Sequence, residues 1–170
     1  MNRLFTLSIA LGLILLTSAV SAADCKYKEN KLDSFTKQKV VLTKWQAFRP
    51  TGNQAVNHGW MAGVVKGDKT FLALRIGVVG YGGPPMNVLE GASLLVLMAD
   101  DSVVELAAYE EVWIENSSVV IHYELNAETM AALTAQGASD IRVTTNRGDH
   151  DFNFGNKPTD RMQFVLGCVQ

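Results

Sequence analysis

Short runs of alternating apolar and polar residues, separated by turn residues, fill the first part of the chain after its leader. Residues 39–48 are rich in Val, Leu, Thr and aromatic side chains and predict one strand. Residues 59–65 and 70–79 show the same composition, and the turn at 66–69 between them contains a Gly-Asp pair. This arrangement predicts a β-hairpin.

The pattern continues in the second half. Residues 92–98 and 103–108 predict another hairpin across Asp100-Asp101. The first of these two segments is apolar on both faces, which indicates a strand with neighbours on both sides. Residues 118–125 alternate well, with apolar residues at every odd position and His122 and Glu124 on the other face, and they predict a half-buried strand.

Helical signals occur at two places. Asn126 can cap a short helix that ends at Gly137, and apolar residues at helical spacing predict a second short helix within 159–169. Residues 141–145 and 150–154 lie between these helices and predict a last hairpin.

These segments give eight or nine strands and two short helices, and tight turns join most consecutive strands. The predicted fold class is therefore mainly β: an antiparallel β-sandwich or a rolled sheet with one or two short helices at one end. Residues 80–85 contain three glycines and two prolines and predict a loop longer than a minimal turn.

The first 22 residues have the pattern of a secretory signal peptide. Arg3 precedes an apolar stretch over residues 4–16, and small residues precede a predicted cleavage between Ala22 and Ala23. The stretch is about 13 residues long, whereas a membrane span needs about 20. We expect a single β-rich domain over residues 23–170, soluble and exported to the periplasm or the extracellular space.

The two cysteines, Cys25 and Cys168, lie near the ends of this domain. In an oxidising compartment an even number of cysteines favours a disulfide, which here would enclose nearly the whole domain. Two free thiols or an intermolecular bond are the alternatives. The chain has neither a Cys-x-x-Cys redox motif nor the histidine spacing of a zinc site.

The charge of the chain is nearly balanced. Removing Arg3 with the leader leaves 14 basic against 17 acidic residues, and neither sign forms a long run. Nucleic-acid-binding proteins carry a basic face, and electrostatic membrane anchors carry basic clusters. We therefore expect no nucleic-acid partner and, after cleavage of the leader, no membrane span.

The three histidines predict no metal site. His58 is interpreted as a turn residue and His122 as a solvated surface residue. His150 lies between Asp149 and Asp151, which carry suitable ligand atoms, but alternation along a strand sends His150 to the face opposite its neighbours. We expect no bound metal and no cofactor.

No catalytic group emerges from the serines and carboxylates. A Gly-x-Ser-x-Gly motif is absent from the sequence, and Ser117 and Ser118 fall in a predicted turn. The pairs Asp100-Asp101 and Glu110-Glu111 are adjacent residues, which diverge on a strand, and the first pair also suits a turn. No catalytic residue is predicted.

The aromatic residues are the candidates for binding. Trp45, Trp60 and Trp113 lie in three separate segments, and Tyr81 lies in the 80–85 loop. Most such side chains pack within a fold, but exposed aromatics are common anchors for ligands and partners. Tyr81, Trp60 and Trp113 are the predicted binding residues, and the loop is the first place to expect a binding surface.

Several short segments resemble a known class of proteins. Cys25, residues 30–37, a helix leading into residues 140–143, and a closing Cys168 are together similar to a loose class of small exported bacterial proteins of uncharacterised function. The resemblance covers most of the chain after the leader. It implies a β-rich fold and a location in the bacterial envelope, and it implies no activity.

Two functional hypotheses follow. The first is a non-enzymatic envelope or secreted module that binds a small molecule, a glycan or a protein partner; a structural subunit would have the same sequence features. The second is an extracytoplasmic hydrolase with an unrecognised site. A cleft with convergent titratable groups of shifted pKa would favour the hydrolase. An aromatic-lined surface near Tyr81 would favour the binding module.

Overall fold

The structure is a computed structural model that describes residues 25–51, 56–78, 86–114, 118–154 and 159–170. The described residues form twelve strands and two helices. The fold is mainly antiparallel β, as predicted. The strands are β1 (Tyr27–Leu32), β2 (Lys39–Thr43), β3 (Gln46–Thr51), β4 (Val56–Lys66), β5 (Lys69–Val78), β6 (Met86–Val88), β7 (Ser93–Met98), β8 (Val103–Ala107), β9 (Val112–Ile114), β10 (Ser118–Leu125), β11 (Ala138–Thr145) and β12 (Gly148–Asn153), and the helices are α1 (Ala127–Ala135) and α2 (Thr159–Gly167).

Eight of the strands pair along a closed path. Antiparallel neighbours follow in the order β10, β5, β4, β3, β12, β11, β7 and β8. Ala108, directly after β8, forms an antiparallel bridge with Tyr123 of β10, so the last strand of the path meets the first. The β1–β2 hairpin attaches beside this path through β2 and β4.

The prediction of one strand over residues 39–48 is wrong, because β2 and β3 share one edge of β4. Leu42 pairs with Val64, and Gln46 pairs with Met61. The chain advances four residues from Leu42 to Gln46, but their partners Val64 and Met61 are only three residues apart on β4. The extra residue is accommodated as in a β-bulge, which ends β2 and begins β3 in a new direction.

Three further strands were not predicted. β1 has the sequence YKENKL and carries no regular alternation, because it is a polar strand at the edge of the sheet. Charged residues on an edge strand discourage pairing with another molecule. β6 and β9 have only three residues each, too few to show a period, and they pair to form a separate two-stranded ribbon.

One face of the closed path holds the main core. Leu72, Leu74 and Ile76 alternate along β5 and are buried on the same face. The rings of Phe48 and Phe152, on neighbouring strands β3 and β12, pack edge to face with their centres 5.0 Å apart. Each fully buried side chain of this size stabilises the fold by about 1.5–3 kcal/mol.

The predicted N-cap of α1 and the turns predicted after β4 and β7 are present, while α1 ends at Ala135, two residues before the predicted end at Gly137. The side chain of Asn126 accepts a hydrogen bond from the backbone N–H of Thr129, which begins α1 with a capping box. Asp100 accepts hydrogen bonds from the backbone N–H and the hydroxyl of Ser102 in the turn between β7 and β8. Gly67 has a φ of 65° in the turn between β4 and β5, where glycine is unstrained.

The C-terminal helix α2 packs against β4. Its Met162, Val165 and Leu166 are buried, as their spacing predicted. The helix approaches the strand at Gly63, where an added Cβ would collide with the carbonyl oxygen of Val165. No helix in the described part of the chain is long and apolar enough to cross a bilayer.

A disulfide joins Cys25 to Cys168, 143 residues apart in sequence, with a Cα–Cα distance of 5.6 Å. It connects a residue two positions before β1 to the residue directly after α2. The hydroxyl of Tyr27 donates a hydrogen bond to the carbonyl of Cys168 at 3.2 Å, beside the bridge. The disulfide pairing predicted from the sequence is confirmed.

Candidate functional site

Trp45 has a packing role on the outer side of β4 and β5, the side away from the main core. It lies at the break between β2 and β3 and packs against a second apolar cluster of Val64, Phe71 and Ala73. This cluster gives the β4–β5 hairpin buried residues on both faces. Trp45 is therefore part of the packing of the fold.

Trp60, one of the predicted binding residues, also has partners within the sheet. The guanidinium of Arg75 lies 5.3 Å from the centre of the Trp60 ring, and the His58 ring lies 4.3 Å from it, centre to centre. Arg75 is itself held by two hydrogen bonds to the hydroxyl of Ser118, at 3.0 and 3.1 Å. The interpretation of His58 as a turn residue is wrong, since it lies within β4 and its ring covers Gly77.

Trp113 is the most exposed of the three tryptophans. It lies in β9, directly opposite Asn87 of β6, and is 53% exposed. Directly opposed residues of antiparallel strands point to the same side of a ribbon, with Cβ atoms about 4.5–5.5 Å apart. Glu111, two residues before Trp113, accepts a hydrogen bond from Nδ2 of Asn87 at 3.0 Å. Asn87, Glu111 and Trp113 are termed the ribbon face.

Asn87 is held rigidly in this face. Its backbone N–H donates to Oδ1 of Asn146, and its carbonyl accepts from the Asn146 backbone N–H, both at 3.0 Å. The residue is only 5% exposed, and its Oδ1 atom has no hydrogen-bond partner among the described residues. A buried acceptor left unpaired costs about 1–3 kcal/mol. The Oδ1 atom lies beneath the ribbon face, so the part of Asn87 that acts at the surface is its amide N–H₂ group, which holds Glu111.

His150 lies on the inner side of the hairpin next to the ribbon. It is buried, and Asp149 is exposed on the other side of β12, in agreement with the predicted alternation. The Thr145 hydroxyl donates to the carbonyl of Gly148 at 2.9 Å, so its 3.2 Å contact with Nε2 of His150 requires that nitrogen to be the donor. Burial lowers the pKa of His150, and the charge of Asp149 opposes this shift without cancelling it. This histidine is a structural group.

The interpretation of His122 as a solvated surface residue is wrong. Its side chain is 16% exposed, and its ring centre lies 5.6 Å from that of Phe71. Burial and the charge of Lys66 lower the pKa of His122, while Glu110, whose Oε1 is 3.5 Å from Nδ1, raises it. The Phe71 cluster on the outer side of the hairpin shields this ring from water.

The described titratable groups do not converge on one point. Glu110 faces His122 and Glu111 faces Asn87, so the two adjacent carboxylates diverge as predicted. Among the described residues, no three His, Cys, Asp or Glu side chains are placed to hold a metal ion. The hydrolase hypothesis gains no specific support from this arrangement.

A groove that sequence reasoning missed crosses the outer side of β3, β12, β11, β7 and β8. Its volume is about 390 Å³. The signal available in the sequence was the apolar character of both faces of β7, of which only one packs on the core. We term this feature the outer groove, lined by Thr51, Leu95, Leu97, Val103, Asp140, Ile141, Arg142 and Asp151.

Some predicted features lie outside the described residues. They are Tyr81 with the 80–85 loop, Ser117, and the predicted cleavage point between Ala22 and Ala23. Their roles stay predictions. Ser118 is described, and its predicted place in a turn is wrong, because it is the first residue of β10 and pairs with Gly77.

The chain was compared with protein-family models, with curated proteins and with solved structures, and none of the three comparisons finds a match. The resemblance to small exported bacterial proteins therefore stays a prediction. The ribbon face and the outer groove are the two described surface features that can bind a ligand.

Proposed function

We propose that this chain is an exported, non-enzymatic module that binds a saccharide on the ribbon face. The observation that carries the proposal is the exposed indole of Trp113 together with the exposed carboxylate of Glu111, two residues away, which the Asn87 amide holds in place. Sugars present an apolar ring face together with hydroxyl groups. An indole can stack on the apolar ring face, and a fixed acceptor can receive hydrogen bonds from the hydroxyl groups.

The spacing of the ribbon face suits one sugar ring. Asn87 and Trp113 are direct cross-strand neighbours, and the Asn87 amide holds the Glu111 carboxylate on the same side of the ribbon. The carboxylate is bonded to that amide through one oxygen and has further acceptor capacity. A hydroxyl of a ring stacked on the indole can then donate to Glu111.

The charge of the ribbon face restricts the kind of sugar. The oxygens of the Glu111 carboxylate are acceptors, so they favour hydroxyl or ammonium donors. The negative charge of Glu111 disfavours uronic acids and other anionic sugars. Neutral sugars and amino sugars are the proposed ligands.

Export is the second part of the proposal. The leader ahead of Ala23 has the regions of a signal peptide. The Cys25–Cys168 disulfide is compatible with an oxidising compartment, where such bonds persist. N-terminal sequencing of the native protein from an envelope fraction and from culture medium tests this. The expected first residue is Ala23, and an intact N-terminus at Met1 with reduced cysteines would contradict export.

The binding claim is tested on an array of immobilised neutral, amino and acidic glycans. The wild type is expected to bind members of the first two groups, and Trp113→Ala is expected to lose that binding. Phe35→Ala is the matched control, because Phe35 is an exposed aromatic on the β1–β2 turn, far along the chain from the ribbon face. Binding that survives in Trp113→Ala, or an array with no bound glycan, contradicts the proposal.

A further inference from the structure

We infer that the outer groove is a second binding site, independent of the ribbon face, and that it takes a small organic cation with an apolar body. The inference rests on the arrangement of apolar and charged side chains along the groove. It does not depend on saccharide binding.

Strand register places most of the lining residues, together with their cross-strand partners, in two rows across the outer side of five strands. Each position in a row is the direct partner of the next on the neighbouring strand, so the side chains of a row share one face. The first row is Glu105, Leu95, Arg142, Asp151 and Thr51, on β8, β7, β11, β12 and β3.

The second row runs beside the first. It consists of Val103, Leu97, Asp140, Asn153 and Arg49 on the same five strands. In both rows the β7 position is leucine and the β11 position is charged. The groove thus passes from an apolar part to a charged part along its length.

The apolar part is an uncovered surface. Leu95 and Leu97 are half-buried, and Val103 is 58% exposed. Their neighbours Val96 and Met98 point to the other face of β7, where they fill the core. Covering this outer surface with an apolar ligand is favourable at roughly 25 cal/mol per Å² of apolar area.

The charged residues that line the groove are two carboxylates and one guanidinium, since Arg49 lies two strands from Asp140 and is not part of the lining. Arg142 and Asp151 neutralise each other through a forked ion pair, with Nε–Oδ1 at 2.6 Å and Nη2–Oδ2 at 2.9 Å. This pair lowers the pKa of Asp151, which stays ionised. Asp140, beside Arg142 on β11, is half-buried and has no hydrogen-bond or ion-pair partner among the described residues. Its carboxylate is the group that a cation would meet.

The size of the groove indicates a small molecule. A volume of about 390 Å³ is at the lower end of the range of small-molecule sites, about 300–1,000 Å³. Five strands spaced by about 4.8 Å make the groove roughly 19 Å long, which suits an elongated molecule. A stable interface with a second protein would bury about 800 Å² on each partner.

The test uses three probes of equal chain length and different charge: n-octylammonium, 1-octanol and octanoate. Backbone amide shifts of the isotope-labelled full chain are followed by NMR during titration. We expect octylammonium to bind saturably, with shifts confined to β7, β8 and β11, octanol to bind several-fold more weakly, and octanoate weakest. Equal or tighter binding of octanoate, or shifts outside the groove, overturns the inference.

Asp140→Asn provides the matched substitution, since it removes the charge with almost no change in shape. We expect it to weaken octylammonium binding about five- to tenfold and to leave octanol binding unchanged. Glu90→Gln removes the charge of an exposed residue in the β6–β7 turn and should change neither. If Asp140→Asn binds octylammonium like the wild type while folding normally, the inference is wrong.

Two further measurements separate the alternatives. Trp113→Ala is expected to bind octylammonium like the wild type, and Asp140→Asn is expected to bind saccharides like the wild type. The two proposals can therefore fail independently. Sedimentation velocity is expected to show a monomer. A dimer that octylammonium dissociates would mean that a second copy of the chain occupies the groove, which contradicts a small-molecule site.

Discussion

The hydroxyl of Thr43 accepts a hydrogen bond from the backbone N–H of Gly63 at 2.9 Å, at the point where β2 ends. Both residues are buried. The bulge between β2 and β3 removes a regular ladder partner for β4, and the threonine side chain replaces it. Gly63 meets α2 at the same place, so one short stretch of β4 accommodates the strand break and the helix together.

Thr43→Val should destabilise the protein by about 1–3 kcal/mol, because it leaves the buried N–H of Gly63 without an acceptor. Urea unfolding followed by circular dichroism measures the change. Thr70→Val is the matched control, since Thr70 on β5 makes no side-chain hydrogen bond within the described residues. Equal stability of the two variants would show that the Thr43 bond is unimportant.

Tyr123→Phe should leave stability unchanged or raise it by up to about 1 kcal/mol. Tyr123 is fully buried, and its hydroxyl has no hydrogen-bond partner among the described residues. Burial also raises the pKa of this phenol, so it stays neutral. The same unfolding assay applies. A loss of more than about 1 kcal/mol would reveal a partner, such as a buried water, for this hydroxyl.

The two shielded histidines should make stability fall in mild acid. Burial lowers the pKa of both His122 and His150 below the ordinary value of 6.5. Below about pH 6.5 the unfolded chain binds protons that the folded chain does not, so the free energy of unfolding decreases as pH falls from there through the folded-state pKa values. NMR titration of the imidazole signals should give midpoints under 6.5 for both, and a midpoint above 6.5 for either contradicts the assigned burial.

Removing the disulfide by replacing Cys25 and Cys168 with serine should lower stability substantially. The loop it closes spans a sequence separation of 143 residues, for which the chain-entropy model gives about 5 kcal/mol as an upper value. The melting temperature of the double variant is compared with that of the oxidised wild type. The reduced wild type serves as the control and should match the variant; an unchanged melting temperature would contradict a stabilising role.

Local patterns in the sequence predicted the local elements well. The alternation over residues 118–125 and the helical spacing of Met162, Val165 and Leu166 each depend on neighbours within one element, so a single segment contains the whole signal. The capping residue Asn126 was recognised for the same reason.

Features that depend on long-range register could not be predicted. The strand break near Trp45 is set by the pairing of two strands with β4, and nothing in residues 39–48 encodes it. The outer groove exists because Leu95 lies beside Arg142, residues far apart in sequence. Likewise, only the folded sheet shows that the Arg75 guanidinium contacts the Trp60 ring, whereas Trp113 is exposed.

The ribbon face is tested most directly by the indole N–H signals of the three tryptophans during NMR titration with cellotriose and with the glucosamine trimer. We expect the chemical shift of the Trp113 indole N–H to change saturably with at least one of these sugars, while the shifts of Trp45 and Trp60 stay constant. If Trp113 does not respond to either sugar, or if Trp60 responds in its place, the saccharide-binding role of the ribbon face is contradicted.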